Sequence, residues 1–199
     1  PTVERNVTAI AVVRDGDTFL VDCGEGTQRQ MMRYGVGFAA DDVFFTHFHT
    51  DHLLGLVGLT RTLALQGRTD PLRLFGPPGA QRALRPALTF GGDRLTFPVE
   101  ITEVAAGEAV KRKDYRIEAV QVDHGGAAAV GWALVEEPRL RRFDPERARA
   151  LGIPEGPLWG RIHKGETITL DDGRSVEPSE LVGPPRRGRR LVISGDTRP

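Results

Sequence analysis

The chain has 199 residues, 39% of them apolar, with 24 glycines and 14 prolines, which suits one domain with an appendage and argues for a loop-rich α/β protein over a helical bundle. Its 27 basic and 27 acidic residues cancel, so net charge neither announces nor excludes a polyanionic partner, and any nucleic-acid site must come from local clustering. Cys23 stands alone, which excludes an intrachain disulfide and a thiolate zinc site. With no run near the roughly 20 apolar residues of a membrane span and no signal-like segment, the expectation is a cytoplasmic protein with no membrane contact and a buried cysteine.

Taken in chain order, residues 7–13 and 18–23 are β-rich runs around Arg14-Asp15-Gly16-Asp17, whose Asp-Gly pair predicts a hairpin. Residues 27–34 follow as a helix with Thr27 as its cap. A short apolar strand at 43–46 leads into a polar cluster and a helix over about 52–66. Residues 72–75 form a strand, Gly76-Pro77-Pro78-Gly79 a turn and 80–88 a helix. Strands are expected at 99–104, 115–122 and 130–135, with a weaker strand pattern at 108–112. From 136 to 190 charge, Pro and Gly dominate, and this excursion carries a helix at 145–151 and an Asp172-Gly173 hairpin signal. Residues 191–194 return as a buried-type strand before Gly195-Asp196-Thr197.

The polar cluster is Thr46-His47-Phe48-His49-Thr50-Asp51-His52, and it holds three of the five histidines. In a loop leaving a strand, positions two apart can point the same way, so His47 and His49 can grip one cation while Asp51 and His52, at the helix start, face a second. Imidazole and carboxylate suit zinc or manganese in a catalytic rather than structural site. The plainer alternative is a solvated polar turn with Asp51 capping the helix. His124 and Asp196 each follow a strand whose end can converge on the cluster.

These residues carry a family resemblance. His47, His49, Asp51, His52, His124 and Asp196 together resemble the metallo-β-lactamase fold, an αββα sandwich with a two-metal site at one edge of its sheets. Within it, Arg5-Asn6-Val7-Thr8, Asp22-Cys23-Gly24-Glu25-Gly26-Thr27-Gln28, Thr50-Asp51-His52-Leu53-Leu54-Gly55-Leu56 and Ser194-Gly195-Asp196-Thr197-Arg198-Pro199 resemble the ribonuclease Z family. So does Leu151-Gly152-Ile153-Pro154-Glu155-Gly156-Pro157-Leu158-Trp159-Gly160, which is similar to the arm with which that family holds tRNA. The resemblance covers essentially the whole chain. It implies a single metallo-β-lactamase-like domain over 1–199, incomplete at both termini, with the tRNA-binding arm inserted at about 136–190. The family's glycine-rich first turn would precede Pro1, and its His-Glu motif and last zinc-binding histidine would follow Pro199.

By the same resemblance, His47, His49, His124 and Asp196 would hold one zinc ion. Asp51, His52 and a bridging Asp196 would hold a second. Asp51 would be the catalytic base, precursor tRNA the substrate and a homodimer the working form. Gly156, Pro157, Leu158, Gly160 and Lys164 are the implied tRNA contacts. The reaction would be removal of the 3′ trailer, leaving a 3′-hydroxyl on the tRNA. His163 reads as a surface residue rather than a ligand, and Trp132, Phe44 and Phe45 as packing. Trp159 reads as packing too, with base stacking as its alternative, while Arg186-Arg187-Gly188-Arg189-Arg190 is either a phosphate contact or a solvated charged run. Two other functions stay open: a hydrolase of the same fold acting on small phosphodiesters, thioesters or lactones, and an inactive tRNA-binding module.

Overall fold

A computed structural model describes residues 2, 4–91, 94–138, 142–170, 172–184 and 187–198. The chain divides into two compact units, one of 1–112, 116–134 and 191–199, the other of 113–115 and 135–190.

The first unit opens on the predicted hairpin, β1 (Ile10–Arg14) and β2 (Asp17–Val21), paired antiparallel with Ile10 opposite Val21. Asp15 and Gly16 both take positive φ at its tip, as a two-residue turn of this hand requires. Strands β3 (Asp42–Phe44), β4 (Leu72–Gly76) and β5 (Val99–Glu103) then add in parallel, giving the order β1-β2-β3-β4-β5. Parallel neighbours need crossovers, supplied by α1 (Thr27–Arg33), α3 (Gly55–Leu65) and α4 (Ala80–Thr89).

Alternation along the strands decides what each face buries. Leu20, Val43, Phe45, Leu72 and Leu74 pack with Met31 of α1, Leu56, Leu59 and Leu63 of α3, and Leu84 of α4. The intervening residues point the other way, where Phe44 stacks on Phe75 at 4.7 Å and meets the Trp132 ring edgewise at 5.0 Å. Trp132 belongs to β8 (Val130–Glu136), a strand of the second sheet, whose order is β11-β8-β7-β6 with β6 at Ala109–Lys111, β7 at Tyr115–Gln121 and β11 at Arg190–Ile193. Its indole N–H donates to the Phe45 carbonyl at 3.1 Å, so this large ring joins the two sheets without orphaning its polar atom. Complete burial of Phe44, Phe45, Leu72 and Leu74 contributes about 1.5–3 kcal/mol for each side chain. The result is sheet on sheet with a helical layer, the expected α/β sandwich.

Several boundaries differ from the sequence reading. The strand expected to run to Cys23 stops at Val21, and Asp22 turns with φ 61°. Gly26, not Thr27, is the cap of α1, while the Thr27 hydroxyl donates to the Gly24 carbonyl at 2.6 Å. The helix expected over 52–66 is two, α2 (Thr50–Leu53) and α3. The weaker pattern near 108–112 is a real strand, β6.

The second unit has its own core of Ala148, Ile153, Ile162, Ile168, Val176, Leu181 and Val182. It contains α5 (Pro145–Ala150), α6 (Pro157–His163), the hairpin β9 (Ile168–Thr169) and β10 (Ser175–Val176), and α7 (Pro178–Leu181). All three helices start on a proline, whose fixed φ and missing N–H suit the first turn. Helices α6 and α7 were not anticipated. Glu136 is buried and is clasped by Arg189 through its backbone N–H and guanidinium at 2.6–3.1 Å.

Candidate metal centre

The centre grows from two backbone features. At the end of β2, the Cys23 N–H donates to the His52 carbonyl at 2.7 Å and the Cys23 carbonyl accepts from Gly55 N–H at 2.9 Å. A Cβ on Gly55 would overlap the Gly24 carbonyl, and one on Gly24 would overlap the Asp51 carbonyl. Two glycines therefore let the loop after β2 lie directly on the α2–α3 junction, which explains the break at Leu54. Meanwhile Thr46, just beyond β3, has its carbonyl held by Val130 N–H at 2.9 Å, so the histidine loop leaves at the seam between the sheets.

Asp22 is the buried organiser of this loop. Its carboxylate accepts from Thr46 N–H at 2.7 Å, from the Thr46 hydroxyl at 2.9 Å and from His52 Nδ1 at 2.8 Å. Pairing at Nδ1 turns Nε2 of His52 outward, 3.7 Å from the Asp51 carboxylate and 3.6 Å from that of Asp196. On the other side, His47 Nε2 lies 3.0 Å from His49 Nδ1, which lies 3.2 Å from His124 Nε2. Among the described residues, two metal-capable groups form: His47, His49 and His124, and His47, His52 and Asp196. His47 is common to both. Asp51 belongs to neither group, yet its exposed carboxylate flanks His52.

The donor set fits a metal ion. Nitrogens 3.0 and 3.2 Å apart nearly match the ~3.3 Å edge of a tetrahedron with Zn–N of about 2.0–2.1 Å. Electrostatics point the same way. Burial, then the neighbouring His52 and His124, pushes the His47 imidazole down to about 4, against a weaker upward pull from Asp22, keeping it neutral and able to ligate in mild acid. Burial also works against protonation of His52, but Asp22, Asp196 and Asp51 prevail and hold its pKa above the ordinary histidine value. The one thiol takes no part: burial pushes Cys23 up to about 12.

His124 comes together with His47 and His49, and Asp196 with His47 and His52, whereas Asp51 lies beside His52 at 3.7 Å without joining either group. Asp51 does not cap α2, whose cap residue is His49. The resemblance implies Asp196 as the residue common to both ligand sets; here Asp196 groups with His52 but not with His49 and His124, and the shared residue is His47. Asp22 was missed as a site residue, although a carboxylate closing an apolar run at a buried position was a signal.

In the second unit, Gly156 caps α6, Pro157, Leu158 and Gly160 lie on it and Lys164 ends it. All but half-buried Leu158 are exposed. His163 packs on Phe143 at 6.0 Å. Trp159 donates its indole N–H to the Ile153 carbonyl at 3.2 Å and has the Arg149 guanidinium over its ring at 5.4 Å, so it packs. Of the basic run at 186–190, Arg186 lies outside the described residues.

A family model described as the beta-lactamase superfamily domain matches residues 17–143, more than half of the chain. The chain belongs to the beta-lactamase superfamily. This superfamily member resembles ribonuclease Z along its whole length. It is 66% identical over 200 residues to a protein of that name from Gemmatimonas aurantiaca and 54% identical over 199 residues to one from Myxococcus xanthus. All of this chain is matched in both cases, but it spans only 64% of the length of those relatives. Among solved structures, the human short-form tRNase Z matches with a TM-score of 0.61 and 25% identity, over 68% of this chain and 61% of that one. A long-form RNase Z from yeast matches with a TM-score of 0.59 over 72% of this chain and 27% of that one, at 14% identity, which bears on the fold alone.

Proposed function

We propose that the protein of which this chain is part is a zinc-dependent endoribonuclease that removes the 3′ trailer from precursor tRNA, working in the cytoplasm as a homodimer. The observation that carries the reading is the pair of ligand groups sharing His47, flanked by the Asp51 carboxylate, in a chain so similar to named ribonucleases Z. Two zinc ions per subunit, when bound, would supply a nucleophile from water at neutral pH and offset charge on the phosphate. His47, His49 and His124 would hold one, and His52 with Asp196 and Asp51 the other.

The chain's own residues do the rest. Asp22 fixes the His52 tautomer so that Nε2 presents a lone pair. Asp51, solvent-accessible and 3.7 Å from that nitrogen, accepts the proton of the attacking water. The P–O3′ bond breaks, the departing oxygen takes up a proton, and the trailer keeps the phosphate at its 5′ end. The second unit is proposed as the inserted arm, with Gly156, Pro157, Leu158, Gly160 and Lys164 along α6 meeting the tRNA backbone.

The test gives the zinc-loaded full-length protein a precursor tRNA and a small phosphodiester. The expected products are tRNA ending in a 3′-hydroxyl and a 5′-phosphorylated trailer, with Asp51→Ala cutting turnover at least a hundredfold while tRNA affinity holds. Cleavage of the small diester alone would reassign the protein to another hydrolase. Binding of tRNA without cleavage of either would make it a binding module.

A further inference from the structure

A cavity of about 750 Å³ opens over the centre, lined by His49, His124, Gly125, Asp196, Thr197 and Arg198. Among the described lining residues, Arg198 is the one basic side chain besides the imidazoles. Its placement is built rather than incidental. The Arg198 N–H donates to the Asp123 carbonyl at 2.8 Å, tying the strand end that delivers Asp196 to the loop that delivers His124. Gly125 takes φ 64°, and a Cβ there would stand 2.6 Å from Arg198 Nη2. The guanidinium thus lies in the space a side chain at 125 would occupy. The Asp123 carboxylate is engaged by Gly125 N–H at 3.0 Å. Among the described residues the guanidinium has no ion-pair partner, although it is exposed beside a carboxylate-bearing site.

A cationic fork facing a cavity beside two metal-capable groups matches the geometry of a phosphate, which takes two parallel N–H···O bonds. We propose that Arg198 is a phosphate-binding residue of this centre, holding a non-bridging oxygen of the substrate's phosphodiester in the cavity above His124 and Asp196. The proposal rests on the phosphodiesterase reading and narrows it: the cavity selects an anionic backbone over neutral esters or lactones. Arg198 binds and positions; it exchanges no proton.

The experiment titrates inorganic phosphate into the zinc-loaded full-length protein by calorimetry. The original protein, Arg198→Ala and Arg198→Lys are compared, with zinc content measured in each. Arg198→Ala should weaken phosphate binding roughly ten- to a hundredfold. Arg198→Lys, which keeps the charge and loses the fork, should fall between. Zinc content should not change, because the guanidinium is not a ligand. In a second arm, kcat/KM on precursor tRNA should fall in parallel with phosphate affinity. Unchanged phosphate affinity in Arg198→Ala overturns the proposal, as does failure of phosphate to bind the original protein. If precursor tRNA is not cleaved but phosphate binding still depends on Arg198, the function proposed above falls and this site stands.

Discussion

Replacing Asp22 by asparagine tests the centre's buried scaffold with almost no change in shape. Asn tolerates the φ of 61° that Asp22 adopts, and one oxygen remains to accept from Thr46 N–H at 2.7 Å. The amide N–H₂ then faces His52 Nδ1, 2.8 Å away. Two donors cannot share that contact, so either the bond is lost or the imidazole changes tautomer and accepts at Nδ1. The first outcome removes a hydrogen bond to a charged group, about 1.5–3 kcal/mol. The second moves a proton to Nε2, the atom aimed at Asp51 and Asp196, and blocks it as a ligand. Either way zinc affinity should fall about 10–100-fold. The metal-free protein should lose about 2–3 kcal/mol out of a typical 5–15. Urea unfolding of the metal-free protein at neutral pH reads the loss of stability, and competition against a chromophoric chelator reads zinc affinity. An unfolding midpoint and a zinc affinity both unchanged in Asp22→Asn would refute the reasoning.

Three further outcomes are expected. His52→Ala, which removes a ligand of the second proposed position alone, should leave about one zinc ion, held by His47, His49 and His124; elemental analysis after zinc-replete purification decides. Gly55→Ala, whose Cβ would meet backbone and not a flexible side chain, should cost at least ~2–3 kcal/mol in thermal unfolding, and a near-neutral result would mean the loop yields. Cys23 should resist alkylation at pH 8 until the protein unfolds, and it should weaken the fold in alkali. Its folded pKa of about 12 exceeds the ordinary 9.0, so above pH 9 the unfolded chain releases a proton that the folded one keeps, and this contribution to stability declines as pH rises toward 12. Cys23→Ser, titrated over the same range, should show a shallower decline.

Local pattern made much of this architecture legible. The Asp-Gly hairpin, the apolar runs of β3, β4 and β8, and the histidine cluster each depend on neighbours in sequence, and each lies where expected. Long-range causes hid the rest. The helix break at Leu54 reflects Gly24 backbone lying on Gly55, a contact no periodicity reports. The partners of Asp22 lie 24 and 30 residues away, so its role could not be read from the strand it ends. Helices α6 and α7 are short and start on prolines within a Gly/Pro-rich stretch, where breaker residues mask helix formation. The partition of ligands between two groups follows side-chain direction at strand ends, which spacing alone leaves open.

The order in which the centre's parts leave the ribosome adds a consequence. His47 and His49 follow β3, but Asp196 arrives only after β11, which takes its place beside β8 in the second sheet. At ordinary translation speeds of ~5–20 residues per second, Asp196 emerges on the order of ten seconds after His47. Until then an ion met by the nascent chain can find the imidazoles of the first group but not the Asp196 carboxylate that joins His47 and His52 in the second. The group of His47, His52 and Asp196 therefore forms only once the second sheet takes up β11, and discrimination among competing metals at that position waits on it.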